Sequence, residues 1–346
     1  MRSAARGSLK ARALWFPARR VAELRPEVAP APGPGEVRVG ALLSAVSHGT
    51  EMLVYRGEVP EDLPLDLPAF AGSFSFPIKH GYASAGRVLD TGPGVDNLAP
   101  DDPVFVHHPH QDVFTVPADL PVRLPEKLDP LRAVFFANVE TALGVVHDTP
   151  ARLGESALVF GQGVVGLLAT RLLEMSGFRV LAVEPRPERR KLSLEMGADA
   201  AFGPDEGLRE RVFEATGGRG ADAAVEASGS GAALAAAVEC VAAEGTVVAA
   251  SWYGMKEVGL PLGGHFHRGR VKIKSSQVGR INPELAARWD RERRARTVTS
   301  LLADPRVPFD SLVSHRVPFG EAPGAYRMLD KNAHEAVQVV FDYGEV

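Results

Sequence analysis

A single cysteine, Cys240, stands among 346 residues, so the chain can build neither an internal disulfide nor a thiolate metal cluster. No apolar run reaches the length that a membrane span needs. Charge of one sign is also lacking. Against 39 basic residues stand 43 acidic ones, and the net charge of −4 offers no basic field to nucleic acid or anionic lipid. The basic stretch from Met1 to Arg12 lacks a following apolar segment, so it reads as a disordered leader or an edge strand and not as a signal peptide. These absences point to a cytoplasmic protein without a nucleic-acid or membrane partner. No internal repeat or low-complexity block is present.

What is there fits two ordinary domains with a sizeable core: 45% apolar and 24% charged residues. The 35 glycines and 27 prolines call for many turns. Up to about Thr149, short β-type runs are punctuated by these residues: Glu36 to Leu43, Gly86 to Asp90, Pro103 to Val106 and Asp112 to Val116. From Glu155 the texture changes. Ala157 to Phe160 reads as a buried strand, Val164 to Met175 as a helix and Arg179 to Val183 as a strand. Pro187 to Met196 reads as a helix, Ala221 to Glu226 as a strand and Ala232 to Ala242 as a helix. Two further strands follow, Gly245 to Ser251 and Val271 to Ser276. Alternation at this spacing means βαβ units and a parallel sheet covered on both faces, an α/β class. A charged helix from about Pro283 to Leu302 then leads into Leu312 to Phe319 and a last strand, Ala336 to Phe341.

The strongest local signal is Gly161-Gln162-Gly163-Val164-Val165-Gly166, placed directly after a strand and opening a helix. In that context Gly161 makes the tight turn, Gly163 lets a pyrophosphate approach the backbone, and Gly166 permits close helix–sheet packing. The helix start offers its free N–H groups to phosphate. Glu184 ends the second strand, where a carboxylate accepts the hydroxyls of an adenosine ribose and repels a 2′-phosphate, which favours NAD over NADP. Arg186, Arg189 and Arg190 follow closely and keep NADP open.

With these residues placed, the chain resembles the medium-chain dehydrogenase/reductase superfamily over nearly its whole length. The resemblance rests on Ser47-His48-Gly49-Thr50-Glu51, on Gly86-Arg87-Val88 with Gly92-Pro93-Gly94-Val95, and on the glycine fingerprint. Ser251-Trp252-Tyr253-Gly254, His265-Phe266-His267 and Ser275-Ser276-Gln277-Val278 resemble more narrowly the zinc-alcohol-dehydrogenase-like branch that includes bacteriochlorophyllide dehydrogenases. The resemblance implies a GroES-like β-rich catalytic domain from 1–149 and 281–346, with a Rossmann doubly wound parallel sheet from 150–280 inserted in it. It also implies hydride transfer at nicotinamide C4 in a cleft between the two, and often a homodimer. Ala227, Ser228 and the turn Ser251, Trp252, Tyr253 would lie along the nicotinamide.

Zinc-dependent members of that superfamily hold the ion with a Cys, a His and a later Cys. The corresponding positions here carry His48, Tyr82 and Ala137. A catalytic zinc needs three protein ligands and an open position, so one ligand in three predicts that zinc is absent. The four-cysteine lobe of zinc-bearing relatives is replaced by the short interval from Phe105 to Phe114. Its His107, His108 and His110 are expected as solvent-side or cleft-lining imidazoles, since neighbours on an extended chain point apart. A rebuilt metal set from His48, Glu51, His110 and Glu140 is the competing reading. Without an ion, the substrate oxygen needs another proton handler. Thr50, at the family's hydroxyl position, with Tyr82 and His48, is the candidate set. His265 and His267, ahead of the basic run from Arg268 to Lys274, are candidates for the substrate mouth. The expected activity is the interconversion of a small-molecule secondary alcohol and a ketone. A metal-free enone or quinone reductase using NADPH and a non-catalytic nucleotide-binding protein are the alternatives.

Overall fold

The computed structural model describes residues 7–65, 72–150 and 152–344. By their contacts they form two compact units, Met1–Ala137 with Thr299–Val346, and Asn138–Val298.

The first unit is built from antiparallel strands. Leu9–Ala18 buries Ala11, Ala13, Leu14 and Phe16, an inward face set largely by alternation. It pairs antiparallel with Val21–Ala29 and, through Trp15 and Phe16, with Ile78–Lys79. Leu9 to Arg12 therefore belong to a paired strand and not to a leader, while residues 1–6 lie outside the described residues. Glu36–Ala45 is the spine of the larger sheet. It pairs antiparallel with Ser84–Thr91, Val113–Pro117 and Gln338–Asp342, and Val313–Pro318 adds in parallel at the edge. Val37, Val39, Val88, Val104, Phe114 and Val116 fill one core. A second core gathers Phe16, Tyr55, Tyr326 and Phe341 against the helices His48–Arg56 and Ala322–Asn332.

The second unit carries a six-stranded parallel sheet among the described residues. Its spatial order is Ala200–Phe202, Arg179–Val183, Ser156–Phe160, Ala221–Glu226, Val241–Ala249 and Lys272–Ser275. The order reverses direction beside the first strand, which is the doubly wound arrangement. Ser156–Phe160 is buried along its whole length, as a strand covered on both faces must be.

Two departures from the sequence reading have local causes. The helix expected over Pro283 to Leu302 is a single 3₁₀ turn, Pro283–Leu285, followed by a separate helix, Arg291–Ala303. Asn282 caps the first through Glu284 N (3.0 Å), and Asp290 accepts from Arg293 N (2.7 Å), so each carries its own start signal. The second unit also extends past 150–280 on both sides. Asn282 Nδ2 donates to His147 O (2.7 Å) and Ser276 Oγ to Asp148 (2.8 Å), which ties these flanks together.

Candidate active site and cofactor cradle

In the first unit, the helix His48–Arg56 opens beside the Gly81-Tyr82 turn. The Tyr82 phenol donates to Ser47 Oγ, with Thr50 nearby. Burial pushes its pKa up to about 12, more than Ser47 and Thr50 bring it down. Tyr82 and Thr50 are thus brought together as expected, and Ser47 joins them unforeseen. His48 starts the same helix, half-buried.

Behind these hydroxyls lies a carboxylate with no solvent contact. Glu51 is fully buried; its Oε1 accepts Ser47 N (2.7 Å) and its Oε2 accepts His110 Nε2 (3.0 Å) and the Tyr326 hydroxyl. Burial alone would raise its pKa, yet the facing His110 and His80 and the Tyr326 hydrogen bond together hold it below the usual carboxylate range. His110 Nδ1 meets Ser44 Oγ at 2.7 Å, and Ser44 Oγ lies 2.8 Å from the Tyr343 hydroxyl. His80 is buried edge-on to Tyr82, with ring centroids 6.1 Å apart, and burial lowers its pKa to about 4.

The histidines of the short interval are not solvent-side. His108 stacks on Phe114 with centroids 3.7 Å apart and planes within 6°, and burial brings its pKa down to about 3. His110 is fully buried and His107 half-buried, with His107 Nδ1 3.1 Å from Tyr82 O. They turn inward because the interval crosses the Leu9–Ala18 strand, where Leu14 N donates to His110 O (2.9 Å). In the rebuilt metal set, both carboxylates are already paired. Glu51 and His110 meet as a hydrogen-bonded pair, while Glu140 is taken by Arg294 at 2.8 Å. Ala137 offers no donor atom, the Tyr82 phenol is held protonated, and among the described residues no three metal-binding side chains converge. The residues present do not fit a catalytic zinc.

In the second unit, the glycine turn has the shape a dinucleotide requires. Gly161, at φ +86°, packs so closely that a Cβ would lie 2.6 Å from that of Ser228. A Cβ on Gly166 would lie 1.9 Å from Gly161 O. At Gly163 a Cβ would meet no protein atom within 4 Å, so the space over the helix start stays clear. That helix, Val164–Met175, has no side-chain cap at Gly163, leaving the N–H groups of Val164 and Val165 to a ligand. Glu184 is buried at the strand end; its oxygens accept Gln162 N (2.9 Å) and Arg186 N (3.1 Å) and keep a lone pair each. Arg190 Nη1 is spent on the Glu184 and Pro185 carbonyls, and Arg189 is half-buried.

At the neighbouring strand end a second buried carboxylate organises the Ala227 to Tyr253 region. Glu226 Oε1 accepts Ser228 N (2.7 Å), Ser228 Oγ (2.5 Å) and Gly229 N (3.0 Å), while Oε2 accepts the Tyr253 hydroxyl (2.6 Å). Ser251 Oγ accepts Gly229 N at 2.8 Å. Ser228, Ser251 and Tyr253 are thus one assembly; Ala227 N instead donates to Phe160 O, and Trp252 is exposed. Sequence reasoning passed over Glu226; a carboxylate closing the apolar run Ala223 to Val225 was its signal. His265 Nε2 lies 2.8 Å from Val241 O, a bond that fixes a loop, and His267 is exposed. The two do not form a joint site.

A family description of zinc-binding dehydrogenases matches residues 164–291. Among curated proteins, the D-guloside 3-dehydrogenase of Escherichia coli K12 is 26% identical over 324 residues, covering 88% of this chain and 92% of its own. Among solved structures, the 2R,3R-butanediol dehydrogenase of Bacillus subtilis superposes with a TM-score of 0.81 at 21% identity, covering 96% of this chain and 100% of its own. A Sinorhizobium meliloti protein described as a zinc-binding dehydrogenase, solved with NADP, superposes with a TM-score of 0.79 at 20% identity over 96% and 99%.

Proposed function

We propose that the chain is a medium-chain dehydrogenase/reductase that interconverts a secondary alcohol and a ketone with a nicotinamide cofactor and without catalytic zinc, a reading supported by the matched dehydrogenase segment and the similarity to alcohol and polyol dehydrogenases. The observation that carries the reading is the buried, protonated Tyr82 phenol bonded to Ser47 Oγ beside Thr50.

Gly163, Val164 and Val165 would hold the pyrophosphate, Glu184 the adenosine ribose, and Ala227, Ser228, Ser251 and Tyr253 the nicotinamide side. When bound, the cofactor supplies the carbon that gives or takes the hydride. The protein supplies the proton. A phenol held near pKa 12 stays protonated at neutral pH, so Tyr82 donates to a carbonyl oxygen and gives up its proton as alkoxide charge develops. Ser47 and Thr50 would hold the phenol in place and relay a proton from solvent back to it. Glu184 supports NAD; the partly desolvated Arg189 beside it favours the second reading, use of NADP, as in the Sinorhizobium neighbour.

The test is a zinc-analysed sample assayed with NADH and with NADPH against acetoin, cyclohexanone and a benzoquinone. Ketone reduction that survives chelation and falls by about 10²-fold or more in Tyr82→Phe supports the proposal. Reduction of the quinone alone, or Tyr82→Phe within about threefold of wild type, rejects it.

A further inference from the structure

His110 has no place in the proton chemistry just described, yet it touches every segment that builds the hydroxyl cluster. It is fully buried between Ser44 Oγ (2.7 Å) and Glu51 Oε2 (3.0 Å). Through Glu51 it reaches Ser47, whose N–H donates to the other carboxylate oxygen and whose Oγ receives the Tyr82 phenol. On its other side it abuts Gly81, the residue before Tyr82. Gly81 adopts φ +119°, and a Cβ there would lie 2.7 Å from His110 Cδ2. Phe341 closes the remaining edge, with centroids 4.9 Å apart.

We infer that His110 is the positioning residue of the Tyr82–Ser47–Thr50 cluster, acting through the Glu51 carboxylate on one side and the Gly81 backbone on the other. The inference rests on the alcohol–ketone reading above. A buried carboxylate keeps its place only while its partners do, because an uncompensated buried charge is costly. Losing His110 leaves Glu51 with Tyr326 and Ser47 N alone, and the carboxylate turns or takes up a proton. Ser47 N then loses its acceptor. At the same time space opens behind Gly81. The two supports of the Tyr82 phenol shift together, and displacements on the order of 1 Å near a reacting atom cost about 10²-fold in rate.

The imidazole has two sides, and two amides separate them. His110→Gln places an N–H₂ near the Nε2 position facing Glu51; His110→Asn places one near the Nδ1 position facing Ser44. The probe reaction is acetoin reduction with NADH. His110→Ala and His110→Asn should lower kcat by about 10- to 100-fold with KM within about threefold, while His110→Gln returns to within about fivefold of wild type. Gln also fills more of the imidazole's space than Asn, so His110→Met, of similar bulk and without a donor, is the control. A residue that merely fills space would keep wild-type kcat there, whereas a positioning residue would not. NADH affinity, read by fluorescence, reports the second unit and should stay unchanged in every folded variant. The same series carrying 3-fluorotyrosine at position 82 gives a readout free of turnover: one sharp fluorine line in wild type and His110→Gln, displaced or broadened in His110→Asn and His110→Ala. Equal kcat and identical fluorine spectra across the series overturn the inference. A wild type that binds NADH but reduces no ketone sinks the functional reading instead, and the fluorine spectra still decide the positioning role.

Discussion

Under the proposed function, Tyr82 acts as a donor because a phenol that is hard to ionise keeps its proton at neutral pH. Its exchange for phenylalanine should cost about 10²-fold or more in ketone reduction. Two buried histidines make a separate prediction about stability. His80 and His108 are uncharged in the folded chain, with pKa values brought down to about 4 and about 3 by burial, whereas unfolded histidine titrates near ~6.5. Between these limits the unfolded chain binds more protons, so stability is lost as pH falls. Each histidine contributes a slope of up to ~1.4 kcal/mol per pH unit. Urea unfolding at pH 7, 6 and 5 should show this decline. His108→Phe, which keeps the stack on Phe114, should flatten it, and an unchanged slope would rule His108 out as a source. Tyr82 and Thr50 were legible in the sequence because they occupy fixed places in short motifs. His110 and Glu51 were legible only as members of a metal set; their hydrogen-bonded pairing, with Ser44 on the far side, was not, because Ser44 and Glu51 lie 66 and 59 positions away.

At the scale of elements, the glycine turn allows two substitutions of equal size to fail differently. Gly166→Ala drives a methyl group into Gly161 O, so the helix must move off the sheet and both melting temperature and cofactor binding should drop. Gly163→Ala meets only open space, so the melting temperature should hold while NADH affinity falls about tenfold, the equivalent of ~1.4 kcal/mol. Calorimetry paired with NADH titration checks both. Equal affinity for Gly163→Ala and wild type would mean that the clear space is not where pyrophosphate sits. The strand–turn–helix unit itself was readable because a buried strand, a glycine pattern and an apolar helix agree locally. The break between Pro283–Leu285 and Arg291–Ala303 was not, since Asp290 reads as one more charge in a polar run until it is seen capping a helix.

For the molecule as a whole, the expectation is indifference to metal. Extensive chelation should leave NADH-dependent ketone reduction within about twofold, and added zinc should not restore a Tyr82→Phe variant, because one imidazole in three positions does not hold the ion. Stoichiometric zinc whose removal abolishes turnover would defeat this. The order of most strands and helices and the glycine turn were determined by the sequence alone. Each is a property of neighbouring residues or of a motif with fixed spacing, and local sterics and hydrophobic periodicity suffice to express it. Only the tertiary structure decided that Glu51 is enclosed by His110 and Tyr326, that Glu226 gathers Ser228 and Tyr253, and that Glu140 is spent on Arg294. A buried carboxylate takes whichever donors the fold brings within about 3 Å, and that choice is made by packing across distant segments, which no local pattern encodes.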